Sequence, residues 1–185
     1  MIIDSANTEP AAAESEFGER IGSDTLRFVR RFIAPSADVW NAIATADGLA
    51  GWLGRPVALD VRAGGAFAVV LVEDDVMDGR VIACEPGRYL EIDWHESSDG
   101  RSLPYGTQAG HRSRITFELV PAEGGGTQLI FTHRYIHGGD IMVGFGAGWH
   151  AFLDALGALL GAAPAADGPT RYAELEPHYR ARLTG

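Results

Sequence analysis

A single cysteine, Cys84, leaves the chain no partner for an internal disulfide, which fits a reducing compartment. Lysine is absent altogether, and all fifteen basic residues are arginine, a compositional bias without functional weight. There is no run of about eighteen apolar residues, so no membrane-spanning helix is expected. The N-terminus lacks a basic start followed by an apolar segment, so no secretory leader is expected. The expected location is the cytoplasm. The formal charge is −10, of which −4 falls in the first 22 residues, where five acids face Arg20 alone. An acidic body argues against nucleic acid or an anionic membrane as the main partner.

Recognisable catalytic and metal-binding patterns are also missing. The six histidines lack zinc-type clustering. His133 and His137 straddle a strand end and a Gly loop, and His150 with Asp154 reads as a solvated i,i+4 pair on a helix. Neither a metal nor a cofactor is expected. Gly124 to Gly126 reads as a hairpin turn rather than a phosphate loop. No nucleophile stands beside an evident base. Cys84, next to Glu85, reads as structural because the acid disfavours a thiolate.

What is present is a long helical pattern at Asp140 to Gly161. Ile141, Phe145, Trp149, Phe152, Leu153, Leu156 and Leu160 recur at three- and four-residue steps, opposite a flank of Gly144, Gly148, Ala151 and Ala155. Asp140 can cap its start, and Gly161 with Pro164 supplies stop signals. Ahead of it the chain alternates as strands. Thr25 to Ile33 places Leu26, Phe28 and Phe32 on one face, with Arg30 intruding. Pro35 then breaks the strand, and two short helical stretches follow, at Ser36–Thr45 and Asp47–Trp52. Further strands are expected at 55–61, 66–73, 76–84, 88–95, 110–120 and 127–135, separated by Gly- and Pro-bearing turns. Each has one polar and one apolar face, as an antiparallel sheet solvated on one side requires. Glu96 to Ala109 is a long polar excursion between two strands.

The expected fold is therefore α+β: a curved antiparallel sheet of about six or seven strands around a long C-terminal helix, with two short helices after the first strand. Residues 1–22 read as a disordered acidic tail, 23–163 as the folded domain, and 164–185 as a linker and a short amphipathic helix. Tyr172, Leu175, Tyr179 and Leu183 fall on one side of that helix, and Pro177 is expected to kink it.

This element order resembles the helix-grip fold of the START-like (SRPBCC) superfamily, in its Hsp-ninety ATPase activator-like branch. The residues carrying the resemblance are Phe32-Ile33-Ala34-Pro35, Val39-Trp40, Ala42, Leu49 and Trp52, then Gly64-Gly65-Ala66-Phe67, Gly79-Arg80-Val81, Leu90 and Trp94. They continue through Thr116-Phe117-Glu118-Leu119, Pro121, Gly125-Gly126-Thr127, Leu129 and Thr132-His133, and end at Gly148-Trp149. The resemblance covers roughly residues 25–160.

By itself the inward aromatic stripe reads as core. The resemblance adds the reading of a cavity for a small apolar molecule, lined by Phe67, Trp94, His111, Phe117, Phe131, His133, Trp149 and Phe152. An inward imidazole could orient a ligand oxygen or move a proton. Two other functions stay open. One is a co-chaperone-like protein-interaction domain with a chaperone partner. The other is a polyketide cyclase or dehydratase using His133 or His111 as the acid–base group. Self-association is open as well.

Overall fold

Alternating apolar residues on successive strands demand a cover for one sheet face, and the long apolar helix supplies it. The computed structural model describes residues 17–71, 76–97 and 112–184. In chain order the elements are β1 (Glu19–Ile21), β2 (Thr25–Phe32), α1 (Ser36–Ala44), α2 (Ala46–Ala50), β3 (Arg55–Leu59), β4 (Ala66–Val70), β5 (Val76–Glu85), β6 (Tyr89–Ser97), β7 (Arg112–Pro121), β8 (Thr127–Arg134), α3 (Gly139–Leu159) and α4 (Gly168–Leu183). The strands form one antiparallel sheet in the order β1-β2-β8-β7-β6-β5-β4-β3. From β3 to β8 each strand pairs with the next in sequence. Among the described strands only β2 reaches across the chain, pairing Phe28 with Phe131.

The helix-grip architecture agrees with expectation, with one strand more. The eighth is β1, which pairs Arg20 with Leu26 inside the stretch that reads as tail. Its three residues, Glu-Arg-Ile, are too few to show alternation. What anchors the segment is Phe17, packed on the core beside His150 and Tyr179. Residues 1–16 lie outside the described part of the chain.

Helix α3 lies on the apolar sheet face, with thirteen of its residues buried. Its length and hydropathy match a bilayer span, yet 72% of that window is buried inside the protein, as in a core helix. Its start differs from expectation: Gly138, at φ 107°, takes the N-cap position. Asp140 sits in the first turn, where its charge suits the helix N-terminus, and accepts from Arg180 at 2.7 Å. The end is as expected. Gly161 takes φ 93°, and the Ala162 N–H returns to Gly157 O at 2.9 Å.

Helix α4 runs sixteen residues, with Leu175, Tyr179 and Leu183 buried and Pro177 in its interior. It packs on α3 where Gly146 has no side chain. A Cβ there would stand 2.6 Å from the Tyr179 ring. The seat for α4 is thus Gly146, which is not one of the four small residues expected to flank α3.

Candidate functional site

The register of the sheet arranges its inward side chains in transverse rows. One row runs Phe67–Gly79–Trp94–Ser113 across β4 to β7. Gly79 fits there because a Cβ would meet the Asp93 carbonyl at 1.9 Å, and its missing side chain leaves a step between Phe67 and Trp94. The next row is Val81–Ile92–Ile115–His133–Leu26, and beyond it comes Leu90–Phe117–Phe131–Phe28. These rows face α3, so Trp149 packs against Phe131 and Trp94 with ring centroids 4.3 and 5.0 Å apart. Phe117 and Phe131 stack at 5.1 Å. Phe145, one helical turn before Trp149, lies edge-on to His133 at 4.2 Å.

His133 is fully buried among these rings, and both of its nitrogens are engaged. The Trp149 indole N–H donates to Nδ1 at 2.9 Å. Indole nitrogen only donates, so Nδ1 must be the unprotonated nitrogen. The ring is therefore neutral with its proton on Nε2, which donates to Ser113 Oγ at 2.5 Å. The Ser113 hydroxyl, 3% exposed, ends the chain with its own proton still to donate. Among the described residues its hydrogen-bond partner is His133 alone. This polarity has a chemical consequence. A serine nucleophile needs an imidazole nitrogen that can accept its proton, and the nitrogen beside Ser113 already carries one. The arrangement suits donation from Ser113 to an oxygen, not removal of its proton.

Of the eight residues expected to line a cavity, Trp94, Phe117, Phe131, His133 and Trp149 form this continuous cluster. Phe67 is buried two strands away on β4. Phe152 is half-buried and meets Trp149 at 5.9 Å. With Trp52, Leu71 and Pro169 it lines a shallow cleft of about 300 Å³. His111 lies outside the described residues. Ser113 is not among those eight, although its place two residues before Ile115 and four before Phe117 sets it on the inward face. Alternation carried that signal. The link from His133 to Trp149 depends on how α3 is rotated over the sheet, which no local pattern encodes.

A second buried polar chain joins α3, α4 and the N-terminal segment. The Gly18 N–H donates to Tyr179 Oη at 2.7 Å, and Oη lies 2.9 Å from His150 Nδ1. The phenol proton is satisfied when it goes to Nδ1, leaving Nε2 protonated and 3.5 Å from Asp154 Oδ1. His150 is 1% exposed, so the solvated pair expected from its helical spacing is corrected: α4 and Phe17 cover it. Burial, then the Arg30 charge, brings its pKa down to about 4, against the opposing pull of Asp154. Burial likewise raises the Tyr179 phenol. Cys84 is raised by its own burial rather than by Glu85.

With this geometry in place, comparison with known proteins identifies the family. The family model described as activator of Hsp90 ATPase homolog 1-like protein matches residues 33–161. The chain belongs to that family. Among solved structures it resembles CalU16 from Micromonospora echinospora, with TM-score 0.67 and 24% identity, covering 91% of this chain and 96% of that one. BPP1335 from Bordetella parapertussis aligns with TM-score 0.66 and 26% identity over 94% and 96% of the two chains. DynU16, from the dynemicin biosynthetic locus, aligns with TM-score 0.63 and 23% identity over 75% of this chain and 47% of its own. No curated protein matches. These likenesses establish an AHSA1-type SRPBCC domain with the helix-grip fold.

Proposed function

We propose that this AHSA1-type domain binds a small, largely apolar molecule bearing an oxygen acceptor, held against the aromatic cluster with Ser113 as its polar contact. The observation that carries this reading is the buried chain Trp149 to His133 to Ser113, whose last hydroxyl retains a proton to donate. A core needs no such chain, since burying polar groups is costly unless all are paired. Phe131 and Trp149 already touch, so the ligand sits at the Ser113 end, beside Trp94, rather than between those two rings. Apolar walls with a few placed polar groups are the usual composition of such sites.

Native mass spectrometry of the purified protein, followed by denaturing extraction, tests the proposal. The expected result is a stoichiometric apolar molecule carrying a carbonyl or hydroxyl oxygen, lost when Ser113→Ala is purified alongside. An extract without such a molecule, together with unchanged behaviour of Ser113→Ala toward a panel of aromatic ketones and phenols, would overturn it. The family description also points to chaperone regulation. On that reading the protein raises the ATPase rate of an Hsp90, an effect independent of Ser113. The small-molecule reading predicts an unchanged rate.

A further inference from the structure

Three protons stand along the buried chain, and two acceptors take them. The Trp149 indole N–H goes to His133 Nδ1 at 2.9 Å, and the His133 Nε2–H goes to Ser113 Oγ at 2.5 Å. Among the described residues Ser113 has no hydrogen-bond partner besides His133, so the third proton, on its hydroxyl, has no acceptor there. The chain therefore carries one donor more than it can pair.

Its direction is set at the far end. Indole nitrogen only donates, and Trp149 has no room to turn its N–H elsewhere. It is 2% exposed, with the Phe131 and Trp94 rings at 4.3 and 5.0 Å. Phe145, edge-on at 4.2 Å, holds the imidazole from the α3 side. Without the indole donor the balance reverses. With the His133 proton on Nε2, two groups would then be left over: the Nδ1 lone pair and the Ser113 proton. With the proton on Nδ1 only that N–H is left over, because Nε2 accepts from Ser113. Buried polar groups without partners are costly, so the second form wins. The same serine then presents its oxygen instead of its proton.

We propose that Trp149 is a positioning residue that, through His133, makes the Ser113 site select a carbonyl oxygen over a hydroxyl. This rests on the reading of Ser113 as the ligand contact and narrows it. A carbonyl takes the surplus proton and brings none, so every donor is paired. A hydroxyl that accepts from Ser113 carries a proton of its own into an apolar site, and one donor is again left over. The ligand class is a neutral ketone or related carbonyl compound, its apolar body beside Trp94, the cross-strand partner of Ser113.

Two measurements on the full chain test it. With nitrogen-15-labelled histidine, the imidazole chemical shifts report which nitrogen of His133 holds the proton. Nε2 is expected in the wild type and Nδ1 in Trp149→Phe. The binding probes are acetophenone and 1-phenylethanol, which share one skeleton and differ in the oxygen. The wild type should bind the ketone roughly tenfold or more tightly than the alcohol. Trp149→Phe should lose that preference or reverse it, and Ser113→Ala should bind both probes alike. A Trp149→Phe protein that keeps the wild-type preference overturns the proposal. The wild-type arm stands without any variant: an unprotonated Nε2, or alcohol bound as tightly as ketone, overturns it as well. Equal binding of the two probes removes the selectivity and leaves the Ser113 site standing, whereas binding of neither removes both.

Discussion

His133 holds the centre of the molecule through two hydrogen bonds of opposite sense. Trp149→Phe keeps the ring packing and deletes the donor, leaving Nδ1 buried without a partner. Such orphaning costs about 1–3 kcal/mol, and urea denaturation should register it. Adding His133→Leu to Trp149→Phe should cost less than the sum of the two single changes, because the two side chains share one bond. Ser113→Ala, at the end of the chain, should cost the fold little more than about 1 kcal/mol while removing the proposed ligand contact.

His150 sets a pH dependence. Its folded pKa is about 4, below the ordinary 6.5, so the native state keeps it neutral while the unfolded chain takes up a proton. The groups facing it are Arg30, Asp154 and Arg171, with the Tyr179 hydroxyl on α4. Stability from this residue is complete above pH ~6.5 and drains away as pH falls toward ~4, by roughly 3 kcal/mol in all. Chemical denaturation at a series of pH values should reveal that slope, and His150→Gln should flatten it. Sequence spacing coupled His150 to Asp154 correctly, but a helical wheel sees one helix only. The burial comes from α4, whose docking is a tertiary event.

At the scale of elements, seven strands and both long helices are legible because alternation and helical spacing persist over enough residues. β1 is not, because three residues carry no period. The α3–α4 contact is only half visible. Tyr179 stands out as apolar on its helix, while Gly146, its seat, looks like any small residue. Gly146→Ala illustrates the competition. Alanine improves helix propensity by about 1 kcal/mol, but its methyl would meet the Tyr179 ring at 2.6 Å, and overpacking costs about 1–3 kcal/mol. A net loss of about 1 kcal/mol is expected in thermal unfolding, partly reversed by combining it with Tyr179→Leu. The N-terminal segment offers a complementary test. A chain beginning at residue 24 lacks Phe17, β1 and the Gly18 donor to Tyr179. It should be roughly 2–4 kcal/mol less stable than one beginning at residue 17.

For the whole molecule, the sheet order fixes when its parts can meet. All pairings from β3 to β8 join sequence neighbours and form as soon as each hairpin exists. β2 is the exception: Phe28 waits for Phe131, 103 residues later (131 − 28). At about 5–20 residues per second of synthesis, that is roughly 5–20 s during which Leu26 and Phe28 have neither β8 nor α3. The helix that covers the sheet is made later still. The fold's centre is therefore completed late in synthesis, and its first long strand, β2, spends the longest time unprotected.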